Sequence, residues 1–118
     1  MKPLILPALA MFLAACQASP PLQRSASPSQ FRGQAYAQAS CSSCHAIRLG
    51  ATSSPNPQAP PFVSIVNQEG LSRQTLNTWL RDAHNYPDEM AFELNAGQVD
   101  DLVSYMLTLK DPRFKPVG

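Results

Sequence analysis

Five consecutive residues, Cys41-Ser42-Ser43-Cys44-His45, hold two of the three cysteines and one of the two histidines in a chain of 118 residues. Any fold this sequence adopts must present two thiols and an imidazole at one place. The length is one domain's worth of material. Once the two ends described below are set aside, roughly 80 residues are left to fold, a size at which a core built from protein alone is marginal. Something extra at the centre would help such a domain. The formal net charge of +1 carries none of the basic excess that marks a nucleic-acid binder, and no repeat or acidic tail appears, so nucleic acid is not an expected partner.

The N-terminus reads as an export signal over residues 1–15: Lys2, then an uncharged apolar run from Pro3 to Ala15. That run is too short to span a bilayer as a helix and has the shape of a secretory h-region. Pro3 and Pro7 count against a buried helix there. The end of the run, Leu13-Ala14-Ala15-Cys16, resembles the lipobox of bacterial lipoproteins. The resemblance implies an acylated Cys16 and an exported, periplasmic protein anchored to a bacterial membrane without spanning it. The other reading is cleavage nearby, with Cys16 left a free thiol. Residues 17–30, QASPPLQRSASPSQ, bury little apolar area and read as an extended tether. The expected organisation is signal peptide 1–15, lipidated N-terminus and tether 16–30, folded domain 31–113 and tail 114–118.

With Cys16 set aside, Cys41 and Cys44 form the one remaining cysteine pair. They suit a disulfide, a thioredoxin-like dithiol, a zinc site or, because His45 follows at once, covalent attachment of a c-type haem. The dithiol reading wants a βαβ context that this Pro-rich, helix-patterned chain lacks. Tetrahedral zinc wants a second Cys/His cluster, which His84 alone does not supply. Haem attachment explains the spacing: two intervening residues let one helical turn present both sulfurs to one edge of a porphyrin, and the adjacent imidazole reaches the iron as proximal ligand.

The flanks are helical. Residues 31–47 place Phe31, Ala35 and Gln38 on one side of a short helix, and Gly33 within it suggests close approach of another helix. Asn95 and Gln98 form a capping box at the head of NAGQVDDLVSYMLTLK, in which Val99, Leu102, Val103, Met106 and Leu109 mark one apolar face. Ser72 caps SRQTLNTWLRDA, with Leu76, Trp79, Leu80 and Ala83 on its apolar face. No strand pattern competes. The expected fold is all-α, three to four helices with long loops, of which residues 49–61 are one, wrapped around a bound group.

In the order of these parts the chain resembles a class I cytochrome c over most of residues 31–111. GQAYAQASCSSCH is similar to that family's first helix and haem-binding turn. DDLVSYMLTLK is similar to its last helix, with Leu102 and Tyr105 where the two cross near Gly33. The resemblance implies one covalent haem c on Cys41, Cys44 and His45. It makes Pro60, in APPFVSI, the candidate carbonyl for the imidazole nitrogen that is not on iron. Met90 is then the distal ligand, although Ala91 follows it where the family commonly has proline. Met106 reads as core, and His84 as the bis-histidine alternative. Tyr36, Phe62, Trp79, Phe92 and Tyr105 are candidate pocket aromatics.

With both axial positions filled by protein, the expected activity is one-electron transfer by a monomeric carrier between redox protein partners, with no enzymatic chemistry. Asp88, Glu89 and Glu93 are expected to form an acidic rim beside Met90 for a basic partner. A haem-based sensor and a fixed haem subunit of a dehydrogenase complex remain open as alternatives.

Overall fold

The computed structural model of the protein describes residues 25–82 and 93–116. Within these the chain forms α1 (Pro28–Ser40), α2 (Phe62–Val66), α3 (Arg73–Asp82) and α4 (Ala96–Met106), the last continued by a 3₁₀ turn at Leu107–Leu109. Among the described residues there is no strand, as the sequence pattern requires. No helix among them is long and apolar enough to cross a membrane.

Local signals set the helix ends. The Ser27 side chain accepts from the Gln30 amide at 3.3 Å, the Gln30 side chain accepts from the Ser27 amide at 2.8 Å, and Pro28 occupies the first turn. This is a reciprocal cap with proline where its missing N–H costs nothing. It starts α1 three residues inside the stretch that composition assigns to the tether. Asn95 and Gln98 make the same exchange at the head of α4, at 2.9 and 3.0 Å. Ser72 and Thr75 do so at the head of α3.

The crossing of α1 and α4 organises the domain. Gly33 lies so close to α4 that a Cβ there would fall on the Asp101 carbonyl and 2.9 Å from the Tyr105 Cβ. The face of α1 that packs is Gly33, Ala37 and the following Cys41, all buried. The close approach expected at Gly33 is where the helices meet, while Phe31, which is 69% exposed, Ala35 and Gln38 lie on the solvent side. A helix this poor in large apolar residues packs through its smallest ones, because closeness of backbones replaces side-chain bulk.

Leu76 and Leu80 of α3, Val99, Leu102, Val103 and Met106 of α4, and Phe62, Ile65 and Val66 of α2 complete the core. Asn67 fastens its edge: its Nδ2 donates to the carbonyls of Val63 and Leu109, and its Oδ1 accepts from the Asp111 amide at 2.9 Å. One side chain thereby ties α2, the 3₁₀ turn and the C-terminal segment together.

Candidate functional site

The cysteine-histidine motif forms a turn on the end of α1. The Cys41 amide still bonds the Ala37 carbonyl at 2.9 Å, and the Cys41 carbonyl then accepts from the amides of Cys44 (3.1 Å) and His45 (2.8 Å). The turn aims its two thiols differently. Cys41 is buried against the core, whereas Cys44 is exposed. Burial, with the neighbouring Cys44 as the lesser cause, pushes the Cys41 thiol up to about 11. A redox-active dithiol needs the opposite displacement, toward an easily formed thiolate.

His45 is buried, and its Nδ1 lies 2.7 Å from the Pro60 carbonyl oxygen. A carbonyl only accepts, so Nδ1 carries the proton of this bond. The bond fixes the ring in the way that a backbone carbonyl orients a metal-binding histidine. Its ring also packs tilted against Phe62, with centroids 5.5 Å apart.

The loop after the motif folds back to build this arrangement. The Asn56 amide donates to the Cys44 carbonyl at 3.1 Å, the Ser54 hydroxyl accepts from the Ala46 amide at 3.0 Å, and the Phe62 amide donates to the Ala46 carbonyl at 2.8 Å. From the α4 side, the Tyr105 hydroxyl donates to the buried Ile47 carbonyl at 2.8 Å. These four bonds carry the chain from Cys44 round to Pro60, so the carbonyl that meets His45 comes from a held segment.

A cleft opens beside the motif. Its walls are Phe62 and Ile65 of α2, Trp79 and Leu80 of α3, Leu94, and Leu102 and Met106 of α4, and Cys41 and His45 face it. The lining is almost wholly apolar. Two thiols on one turn, an imidazole oriented by a main-chain carbonyl and an apolar lining suit, in their chemistry, a largely hydrophobic macrocycle that carries a metal. Among the described residues no group of three or more His, Cys, Asp or Glu assembles as a protein-only metal site would require.

Of the residues singled out in the sequence, Cys41, Cys44, His45 and Pro60 come together here. Phe62 and Trp79 line the cleft, Met106 lines it while filling the core, and Tyr105 serves the helix crossing. Tyr36 packs half-buried against the core. Glu93 is exposed. Cys16, His84, Asp88, Glu89, Met90 and Phe92 lie outside the described residues. Sequence reasoning missed Ser54 and Asn67, whose partners are main-chain groups far along the chain. It also missed the Ser27/Gln30 cap, which a Ser-Pro-x-Gln pattern does announce.

An all-helical domain that puts paired thiols and an oriented imidazole beside an apolar cleft has the make-up of one that holds a covalently attached haem. The family model for cytochrome c matches residues 31–110, and the chain belongs to that family. Comparison with curated proteins and with solved structures gave no match. The cofactor is accordingly a covalent haem c, and the family's work is haem-based electron transfer.

Proposed function

We propose that this cytochrome c is a membrane-tethered one-electron carrier between redox proteins, exported to the periplasm and monomeric. In this reading Cys41 and Cys44 form the thioethers, His45 is the proximal ligand, Met90 the distal ligand and Cys16 the lipidated residue. The bound haem supplies a single-electron iron couple. The chain's own residues do the rest. Pro60 holds the imidazole by its Nδ1 proton and raises the basicity of Nε2, the cleft excludes water, and the Cys41-to-His45 turn sets thiols and ligand on one element.

The observation that carries the reading is the 2.7 Å bond between His45 Nδ1 and the Pro60 carbonyl. It holds the imidazole in one orientation on the same turn as two cysteines and beside an apolar cleft, which a histidine used only for packing does not need. Purified mature protein from a host able to attach porphyrins should give the pyridine haemochrome of a doubly thioether-linked haem; a colourless, compactly folded product would refute the reading. Met90→Ala should abolish the near-infrared sulfur-to-iron band and lower the midpoint potential by a sizeable part of the roughly 0.8 V that axial ligands span. Rapid carbon monoxide binding by the reduced wild-type protein would instead favour a sensor. Cys16→Ser should move the protein from the membrane fraction to the soluble one.

A further inference from the structure

Acidic residues are confined to one part of the chain. From Gln17 to Gln68 there is none, and the charges there are Arg24, Arg32 and Arg48, while all eight acidic residues lie at Glu69 or later. An asymmetry of this kind suits an anionic surface. The fold adds an apolar feature to it. On the face of α1 turned away from the crossing, Phe31, Ala35 and Gln38 are all exposed, and Phe31 is the most exposed of the large apolar side chains among the described residues. Arg48 Nη2 lies 3.4 Å from the Gln38 side-chain oxygen, which sets a cation about 10 Å along the helix from Phe31. Arg32, by contrast, already has its charge matched by Asp101 at 2.7 and 2.8 Å.

We propose that this face of α1 lies on the surface of an anionic phospholipid bilayer, with the Phe31 ring among the headgroups and Arg48 against their phosphates. The inference rests on the tethered reading above and adds how the domain lies on its membrane. Chain length argues for lipid as the occupant. Helix α1 begins at Pro28, so the residues between it and Cys16 reach at most about 40 Å when fully extended, and Phe31 follows within one turn. With Cys16 acylated, Phe31 stays beside the bilayer and its contact is in effect intramolecular. Aromatic rings are favoured at headgroup level, and arginine by the surface potential of anionic lipid. Such a contact is weak in a free protein but sets the orientation of a tethered one. Phe31, Ala35 and Gln38 form no part of the lining of the cleft beside the motif, so the contact leaves that cleft open.

Nanodiscs of phosphatidylcholine and phosphatidylglycerol, with a gadolinium chelate on some headgroups, test the orientation. In the reduced, haem-loaded protein bound to them, the amides of Phe31, Ala35 and Gln38 should broaden while those of Gln74 and Thr78 on α3 stay sharp. Phe31→Ser should remove that difference and Phe31→Trp should keep it. Mass spectrometry of the same sample reads the acyl chains on Cys16, so a missing anchor is told apart from a missing face. Protein without the anchor should still bind vesicles of the same lipids at high lipid concentration. There Phe31→Ser should weaken binding about tenfold and Arg48→Gln about fivefold at low salt, both with the wild-type haem spectrum.

Equal broadening of α1 and α3, a Phe31→Ser variant that behaves as wild type, or broadening no weaker on discs of phosphatidylcholine alone would each overturn the inference. So would anchor-free protein that does not bind the anionic vesicles at all. If the same α1 amides shifted with protein concentration in lipid-free samples, a second copy of the chain would be the occupant and the inference would likewise fall.

Discussion

The two halves of the domain keep their shape by different means. From Ser72 onward the helices are written locally: reciprocal caps at Ser72/Thr75 and Asn95/Gln98, apolar residues at helical spacing, and charges on the outer faces. In the half that holds the motif, residues 42–61 contain no helix. Their course is fixed by bonds to distant groups, among them Tyr105 to Ile47 and His45 to Pro60. The scaffold could be assembled from its own sequence signals, while the site needs the scaffold and the covalent group it encloses. Faults at the boundary between the halves should therefore cost most, faults within the scaffold less, and faults in its surface charge least.

The α1–α4 crossing is that boundary. Gly33→Ala would gain about 1 kcal/mol in helix propensity, but its Cβ has nowhere to go between the Asp101 carbonyl and Tyr105. Overpacking against backbone, which does not yield as a flexible side chain would, costs about 3 kcal/mol. A net loss of about 2 kcal/mol or more is expected in denaturant unfolding of the haem-loaded protein. Wild-type stability in that variant would mean that the two helices do not meet here and that the halves are joined elsewhere.

Tyr105 tests the second connection. In Tyr105→Phe the ring stays and the donor to the buried Ile47 carbonyl goes, leaving an unsatisfied acceptor worth about 1–2 kcal/mol. The loss should also show as faster amide exchange across residues 46–61, with the amides of α3 unaffected. Burial holds the Tyr105 phenol above its ordinary value, opposed by the Arg48 charge. A raised folded pKa adds stability that is complete below the unfolded value of about 10 and lost as pH rises through the folded one. The difference between wild type and variant should accordingly shrink in that alkaline range.

What the sequence revealed follows the same division. Asn95 and Gln98 announced α4, and Ser72 announced α3, because caps and apolar spacing act over a few residues. Their ends moved slightly, with a 3₁₀ turn finishing the last helix at Leu107–Leu109. The Cys41–His45 cluster and the candidate carbonyl of Pro60 were also legible, the first from its spacing and the second from the family resemblance. On α1, Gly33 announced the crossing, but the part of Ala37 in it was not legible, since a small residue packs there while large apolar Phe31 points outward. Nor were α2 and the bonds of Ser54 and Asn67 to the main chain, which depend on groups brought near by the fold. Asn95→Ala checks how local the scaffold is: it should cost about 1 kcal/mol and speed amide exchange in the first turn of α4, leaving the haem spectrum unchanged.

The smallest effect belongs to the charged pair that spans the crossing. Arg32 Nε and Nη2 approach the two carboxylate oxygens of Asp101 at 2.7 and 2.8 Å, a bidentate pair at the protein surface. The bond from Arg32 is the main cause that holds the Asp101 carboxyl below the usual carboxylate range, with burial opposing and Ser29 assisting. A lowered folded pKa adds stability that is present above the unfolded value of about 3.9 and disappears as pH falls through the folded one. Asp101→Asn should therefore be slightly less stable than wild type at neutral pH and low salt, and the two unfolding curves should coincide once the wild-type carboxyl is protonated. High salt should also narrow the neutral-pH difference, because exposed pairs are screened. If the difference persisted unchanged in acid, the contribution at Asp101 would come from packing along the crossing, and charge would have no part in joining the halves.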